Sequence, residues 1–441
     1  MKSPPVLLAA LLLAAVPSLA QEGSADAGTP DLATELAELK RRVAILGEEL
    51  ENQRTGSAPV TPAVEGNVAT GMGPAASKVY ARDGLSVGGY GEAIFSLYND
   101  RLQDGSRHPI DALADTQRAV FYIGYKFTDW VVFNSEMEFE HSGFSDEHAE
   151  GEAIIEFAYL DFLLKPWLNL RAGQVLLPVG FLNELHEPPV FLGALRPRLE
   201  DEGGLIPSTW HELGVGLHGE LPANLSYRVY LLNGLDAARF NAEGSGTIGG
   251  GRQDGHQAIA NKPAVSGRLD WHPLPGALLG GSFYVGDSAQ AIGSAPIWTA
   301  LLEAHAEYRS SGFQARALFA HLTNSSEGLQ ALGSGAAPQS EAFGTGTLQN
   351  GFYVEAGYDL FTLVPALRQN LIPFARVEWM NTQQQVAPGA TADPANERTI
   401  IAVGVNYKPI PQVAVKADLD FNLNAANTGR NQFNLALGYL F

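Results

Sequence analysis

The chain has 441 residues, 45% of them hydrophobic, with 48 glycines, no cysteine and a formal net charge of −20. The missing cysteines exclude a disulfide framework, a thiolate metal site and a lipid-attachment cysteine, and the acidic balance argues against nucleic acid as a partner. No stretch beyond the N-terminus approaches the roughly 18 uninterrupted apolar residues of a helical membrane span.

Lys2 precedes an apolar run from Val6 to Val16, followed by Pro17, Ser18, Leu19 and Ala20. This pattern predicts a signal peptide over residues 1–20, cleaved after Ala20, and therefore an exported chain. Next come Leu32, Leu36, Leu39, Val43, Leu46 and Leu50 at alternating steps of four and three. That seam predicts a coiled-coil helix over 30–54, with Glu35 and Lys40 placed for an interchain ion pair; a short amphipathic helix on another surface is the alternative. Residues 55–79, rich in Gly, Pro, Ala, Thr and Ser, read as a flexible linker.

From residue 80 to 441 the pattern changes to period two, which places alternate side chains on opposite faces of a strand. About sixteen strands are expected: 85–98, 116–127, 131–141, 152–163, 168–176, 212–220, 225–233, 264–271, 278–286, 298–309, 313–322, 351–360, 372–380, 399–408, 413–421 and 431–441. In the last, Phe433, Leu435, Leu437, Tyr439 and Phe441 form one apolar face opposite Gln432, Asn434, Ala436 and Gly438. Connections alternate between compact turns, such as Thr128-Asp129-Trp130 and Lys165-Pro166-Trp167, and long Gly-rich segments such as 236–262 and 323–350. Alternation, turn lengths and a terminal aromatic together predict a transmembrane antiparallel β-barrel, an all-β fold of the outer-membrane class. A soluble periplasmic β-protein would need a second sheet to cover the aromatic face of strand after strand.

The charges fall on the face opposite the lipid. Glu136, Glu138 and Glu140 oppose Phe133, Met137 and Phe139; Arg118, Arg228, Arg268, Arg316 and Arg376 are inward on their strands. A polar, ionic interior of about sixteen strands implies an aqueous lumen. Segment 178–208 is the expected constriction, because Glu184, His186, Glu187, Arg196, Arg198, Glu200, Asp201 and Glu202 alternate with apolar anchors such as Phe181, Leu182 and Phe191. Arg118 and Arg171 are its expected wall partners, and an outward surface loop is the alternative.

The stretches Leu-Ser-Val-Gly-Gly-Tyr-Gly-Glu at 85–92, Leu-Arg-Ala-Gly-Gln-Val-Leu-Leu-Pro-Val-Gly-Phe at 170–181, Ile-Pro-Phe-Ala-Arg-Val-Glu at 372–378 and Gly-Val-Asn-Tyr-Lys-Pro at 404–409 resemble the phosphate-selective porin O/P family. The resemblance covers the barrel and implies a sixteen-stranded trimeric porin with a folded-in third loop, some relatives carrying an N-terminal coiled coil. Phosphate capture in that family is associated with arginine ladders and clustered lysines. Here lysine is scarce, and Glu136, Glu138, Glu140, Glu156, Glu303, Glu307, Glu355 and Asp359 outnumber the inward arginines. A lumen lined mainly by one sign concentrates counter-ions, so a general or cation-preferring channel is expected, selectivity being decided at the narrowest ring.

Expected partners are two further copies of the chain, outer-membrane lipid and lipopolysaccharide, and small hydrophilic solutes or ions. A tether whose coiled coil holds the cell wall or a periplasmic partner, and an anion- or phosphate-selective porin, are the alternatives. No enzyme activity, cofactor or metal site is expected. His141 and His148, near Asp146 and Glu147, read as solvated surface, and no Gly-x-Ser-x-Gly nucleophile motif accompanies the scattered histidines.

Overall fold

The computed structural model describes residues 71–81, 83–142, 151–201, 203–241, 244–290, 295–333, 339–364 and 366–441. The expected signal peptide, coiled coil and most of the linker lie outside these residues, as do Glu202, Asp146, Glu147 and His148.

Sixteen strands form one closed barrel in chain order. They are β1 (Gly84–Tyr98), β2 (Leu113–Thr128), β3 (Val131–Glu140), β4 (Ala153–Lys165), β5 (Leu168–Leu176), β6 (His211–Leu221), β7 (Leu225–Asn233) and β8 (Pro263–Trp271). The ring continues through β9 (Ala277–Asp287), β10 (Trp298–Ser310), β11 (Phe313–Asn324), β12 (Gly346–Tyr358), β13 (Asn370–Val386), β14 (Glu397–Ile410), β15 (Val413–Asn424) and β16 (Gln432–Leu440). Every neighbour pair is antiparallel, and β1 closes on β16 with Tyr90 opposite Leu440 and Tyr98 opposite Gln432. Closure leaves no unpaired sheet edge, the requirement for a sheet in lipid.

Each expected strand is present. β13 runs on to Val386, past the expected end at residue 380, because its backbone keeps pairing with β12 where the outward side chains turn polar. The apolar face lies outside: Leu435, Leu437 and Tyr439 are 41%, 45% and 43% exposed, while Asn434 just before them and Ala436 between them are buried. Trp130, Trp167, Trp271 and Phe441 are exposed beside the short-turn rim, as interfacial aromatics are.

Side chains alone cannot fill a ring this wide. Two chain segments enter it: residues 177–210, between β5 and β6, and residues 71–81, which end in the short helix α1 (Lys78–Ala81). Among the described residues no helix is long and apolar enough to cross a membrane.

Candidate functional site

The inward course of residues 177–210 begins where strand pairing stops. Pro178, Pro188, Pro189, Pro197 and Pro207 lack the N–H a ladder needs, and Phe181, Leu182, Phe191, Leu192, Leu199, Ile206 and Trp210 are buried inside the ring. The segment holds two short 3-10 turns, Pro188–Val190 and Arg198–Glu200, so most of its backbone polar groups lack regular partners. Buried amides and carbonyls must be paired.

Wall side chains pair them. Lys408 donates to the Pro189 carbonyl at 2.7 Å, Asn406 to Leu192 at 3.1 Å, Lys416 to Gly193 at 2.8 Å and Arg316 to Val190 at 3.3 Å. Arg268 donates to Gly180. In the other direction, Asp418 accepts from the Ala194 N–H at 2.6 Å and Glu378 from Leu199 at 3.1 Å. Glu200 turns back on its own loop, accepting from the amides of Phe181 and Leu182 and from the Tyr353 hydroxyl at 2.8 Å. Lys416 also lies 3.5 Å over the Phe191 ring. The loop is thus fastened to β8, β11, β12, β13, β14 and β15, far from its roots.

Residues 71–81 pack between strands β1–β3 and the first part of the loop. Met72, Ala75, Ala76 and Val79 are buried; Glu187 accepts from the Ala75 N–H at 2.9 Å, Asn134 donates to the Ala76 carbonyl at 3.0 Å, and the Tyr80 hydroxyl donates to Asp161 at 2.6 Å.

The arginines expected inward from the sequence are each engaged by carboxylates, whereas Arg398 on β14 donates to the Gly203 carbonyl. Arg118 meets Glu138 at 3.0 Å and Glu140 at 3.2 Å; Arg171 meets Asp161 at 2.8 Å; Arg228 meets Glu184 at 3.0 Å and Asp270 at 2.7 Å. Arg268 pairs with Asp270 at 2.8 Å, Arg316 with Glu307 at 3.1 Å, and Arg376 with Glu378 at 2.8 Å and Glu355 at 3.2 Å. The loop carboxylate Glu184 therefore uses Arg228. Arg118 and Arg171, the expected wall partners, bind carboxylates of the wall itself. Within the loop, Arg196 bonds Ser208 and the His186 carbonyl, and Arg198 pairs with Asp201 at 2.8 Å.

Burial sets the protonation of the loop groups. It pushes the Glu187 carboxyl up to about 7 against the two amides it accepts from, and raises Glu200 above the usual carboxylate range. Burial, with the Arg196 guanidinium adding to it, pushes the His186 imidazole down to about 3. The site residues missed in the sequence are Lys408, Lys416, Asp418 and Tyr80. The first three stood on inward positions, but nothing in the alternation pairs them with loop backbone.

No protein-family profile matches the chain. A protein of Aquifex aeolicus (strain VF5), described as uncharacterized, is 34% identical over 351 residues, covering 79% of this chain and 78% of its own. The chain belongs to that protein's family. Among solved structures, Salmonella typhi OmpF superposes over 81% of this chain and 97% of its own, with a TM-score of 0.53 and 14% identity. The outer membrane channel DcaP of Acinetobacter baumannii covers 81% and 97%, with a TM-score of 0.49 and 13% identity. At such identities the OmpF match establishes the fold alone, a closed antiparallel β-barrel.

Proposed function

We propose that this chain is an outer-membrane channel of a Gram-negative bacterium, exported by a signal peptide over residues 1–20, through which small hydrophilic solutes or ions diffuse passively with a preference for cations. The observation that carries this reading is the closed ring with lipid-facing apolar side chains and an interior of charged ones, Glu136, Glu378 and Arg376 among them. Because Arg118, Arg171, Arg228, Arg268, Arg316 and Arg376 are each held by carboxylates, these six do not form an unpaired ladder ready for phosphate. That favours cation passage over the anion selectivity suggested by the resemblance to the porin O/P family. Loop groups Glu184, Glu187, Arg196, Arg198, Glu200, Asp201 and Glu202 form the constriction, and the chain assembles as a homotrimer. No reaction or cofactor is required.

The filling of the ring by residues 177–210 and 71–81 favours a second reading, in which the barrel anchors a coiled coil over 30–54 that holds the cell wall. Planar-bilayer recording separates the two. Ohmic conductance steps in threes support the channel; silence from correctly folded trimers supports the tether.

A further inference from the structure

Glu156 sits where β4 departs from regular pairing. Glu136 of β3 pairs with Phe157 and the next residue, Met137, with Ile155, so Glu156 is the extra residue of a β-bulge. A bulge re-aims a side chain that alternation would send the other way. Here it places Glu156 and Phe157 together on the inside, both buried, while Ile155 faces out at 49% exposed. Period two alone would have turned Glu156 towards lipid whenever Phe157 faces inward.

Inside, Glu156 meets Glu136 and the loop residue His186. The Nε2 of His186 lies 3.1 Å from Glu136 Oε1 and 3.5 Å from Glu156 Oε2, and one ligand atom from each of the three lies within 4.8 Å of the others. All three side chains are at least 98% buried. Neither oxygen of Glu156, nor Oε2 of Glu136, has a well-formed hydrogen bond, although Thr209 and Glu138 approach Glu156 and the Tyr122 hydroxyl approaches Glu136. The other ring nitrogen, Nδ1, stands 3.1 Å from the Asn183 carbonyl. A carbonyl only accepts, so Nδ1 carries the proton. In the neutral ring that leaves the Nε2 lone pair directed at two carboxylates. Lone pair and anions repel unless a proton or a metal cation lies between them.

We propose that Glu136, Glu156 and His186 form a binding site for one divalent first-row transition cation, which clamps the loop to β3 and β4. Two carboxylates and an imidazole are ligands that such a cation accepts. Tetrahedral ligands about 2.1 Å from zinc stand roughly 3.4 Å apart, close to the two contacts of Nε2. The Nδ1–H bond to a backbone carbonyl is the outer-sphere contact that orients a metal-binding histidine. The cation supplies charge balance to two buried carboxylates that no arginine or lysine among the described residues pairs with, and it ties the middle of the loop to the wall beside residues 71–81. The site stands independently of what the barrel conducts.

The test uses the full mature chain without a histidine tag, in detergent, stripped with chelator and titrated with Zn2+ by calorimetry. One Zn2+ per chain is expected, with affinity lowered about tenfold or more in Glu156→Gln, since even outer-sphere partners shift metal affinity about 10- to 100-fold. X-ray absorption on the Zn2+-loaded wild type needs no variant, and one imidazole among oxygen ligands is expected. No stoichiometric binding by the wild type, a shell without imidazole or with more than one, or unchanged affinity in a folded Glu156→Gln would overturn the proposal.

Discussion

Asp418 on β15 accepts a hydrogen bond from the backbone N–H of Ala194 at 2.6 Å, joining the barrel wall to the loop that enters between β5 and β6, nearly across the ring. Lys416 two residues earlier donates to the Gly193 carbonyl. A neighbouring cation and anion therefore grip the two polar ends of one peptide group, the Gly193 carbonyl and the Ala194 N–H, which fixes both its height and its direction. Removing the anion leaves a buried amide without an acceptor, at a cost of about 1–3 kcal/mol. Asp418→Ala should lower the urea midpoint of the folded barrel accordingly and raise single-channel conductance as the loop loosens. Unchanged conductance together with lowered stability would show that the loop does not limit passage.

Close approach gives a second handle on the same loop. A Cβ added at Gly438 would lie 2.4 Å from the Cβ of Pro188, so the first 3-10 turn rests directly on β16. Gly438→Val should displace that turn, with an overpacking cost of about 1–3 kcal/mol. Limited proteolysis near residues 188–193 should become faster while the strands stay protected.

The docking of the loop should weaken as pH rises. Burial holds the Glu200 carboxyl above its ordinary range, so the docked state binds a proton that the undocked or unfolded chain has released. Its contribution is complete below the ordinary value and is lost as pH climbs through the raised one. Conductance should accordingly increase from acid towards neutral pH, and Glu200→Gln should flatten that dependence. An increase in the opposite direction would contradict the assignment.

The outer face makes an independent prediction. Leu435 stands mid-strand in β16, 41% exposed, where lipid is expected. Leu435→Arg should destabilise the barrel in lipid vesicles by about 2–4 kcal/mol, falling to about 0–1 kcal/mol for a substitution at the interface. A neutral effect would place this face against something other than hydrocarbon.

The strands were legible because lipid outside and charge inside write themselves into every second residue, as Leu435 and Asn434 do. The constriction was legible in part. Phe181, Phe191 and Leu192 among charges marked a segment that packs inward, and the structure buries all three. What alternation cannot carry is partner choice across the ring. Nothing local to Glu184 distinguishes Arg228 from Arg118, and nothing near Lys416 names the Gly193 carbonyl. Period two also fails at a bulge, which is why the facing of Glu156 depends on the register of β3 and β4. Gly71, Gly73, Ala75 and Ala76 look like linker by composition, yet they are small enough to pack against Glu184, Glu187 and Asn134 inside the ring.

Reversal potential across a KCl gradient tests the central claim most directly, because it requires passage and reports the sign of the charges that govern it. The predicted potential is biased towards the cation and shrinks when Glu378 and Asp418 are neutralised. An anion-biased potential, or membranes that stay silent with folded protein present, would contradict it.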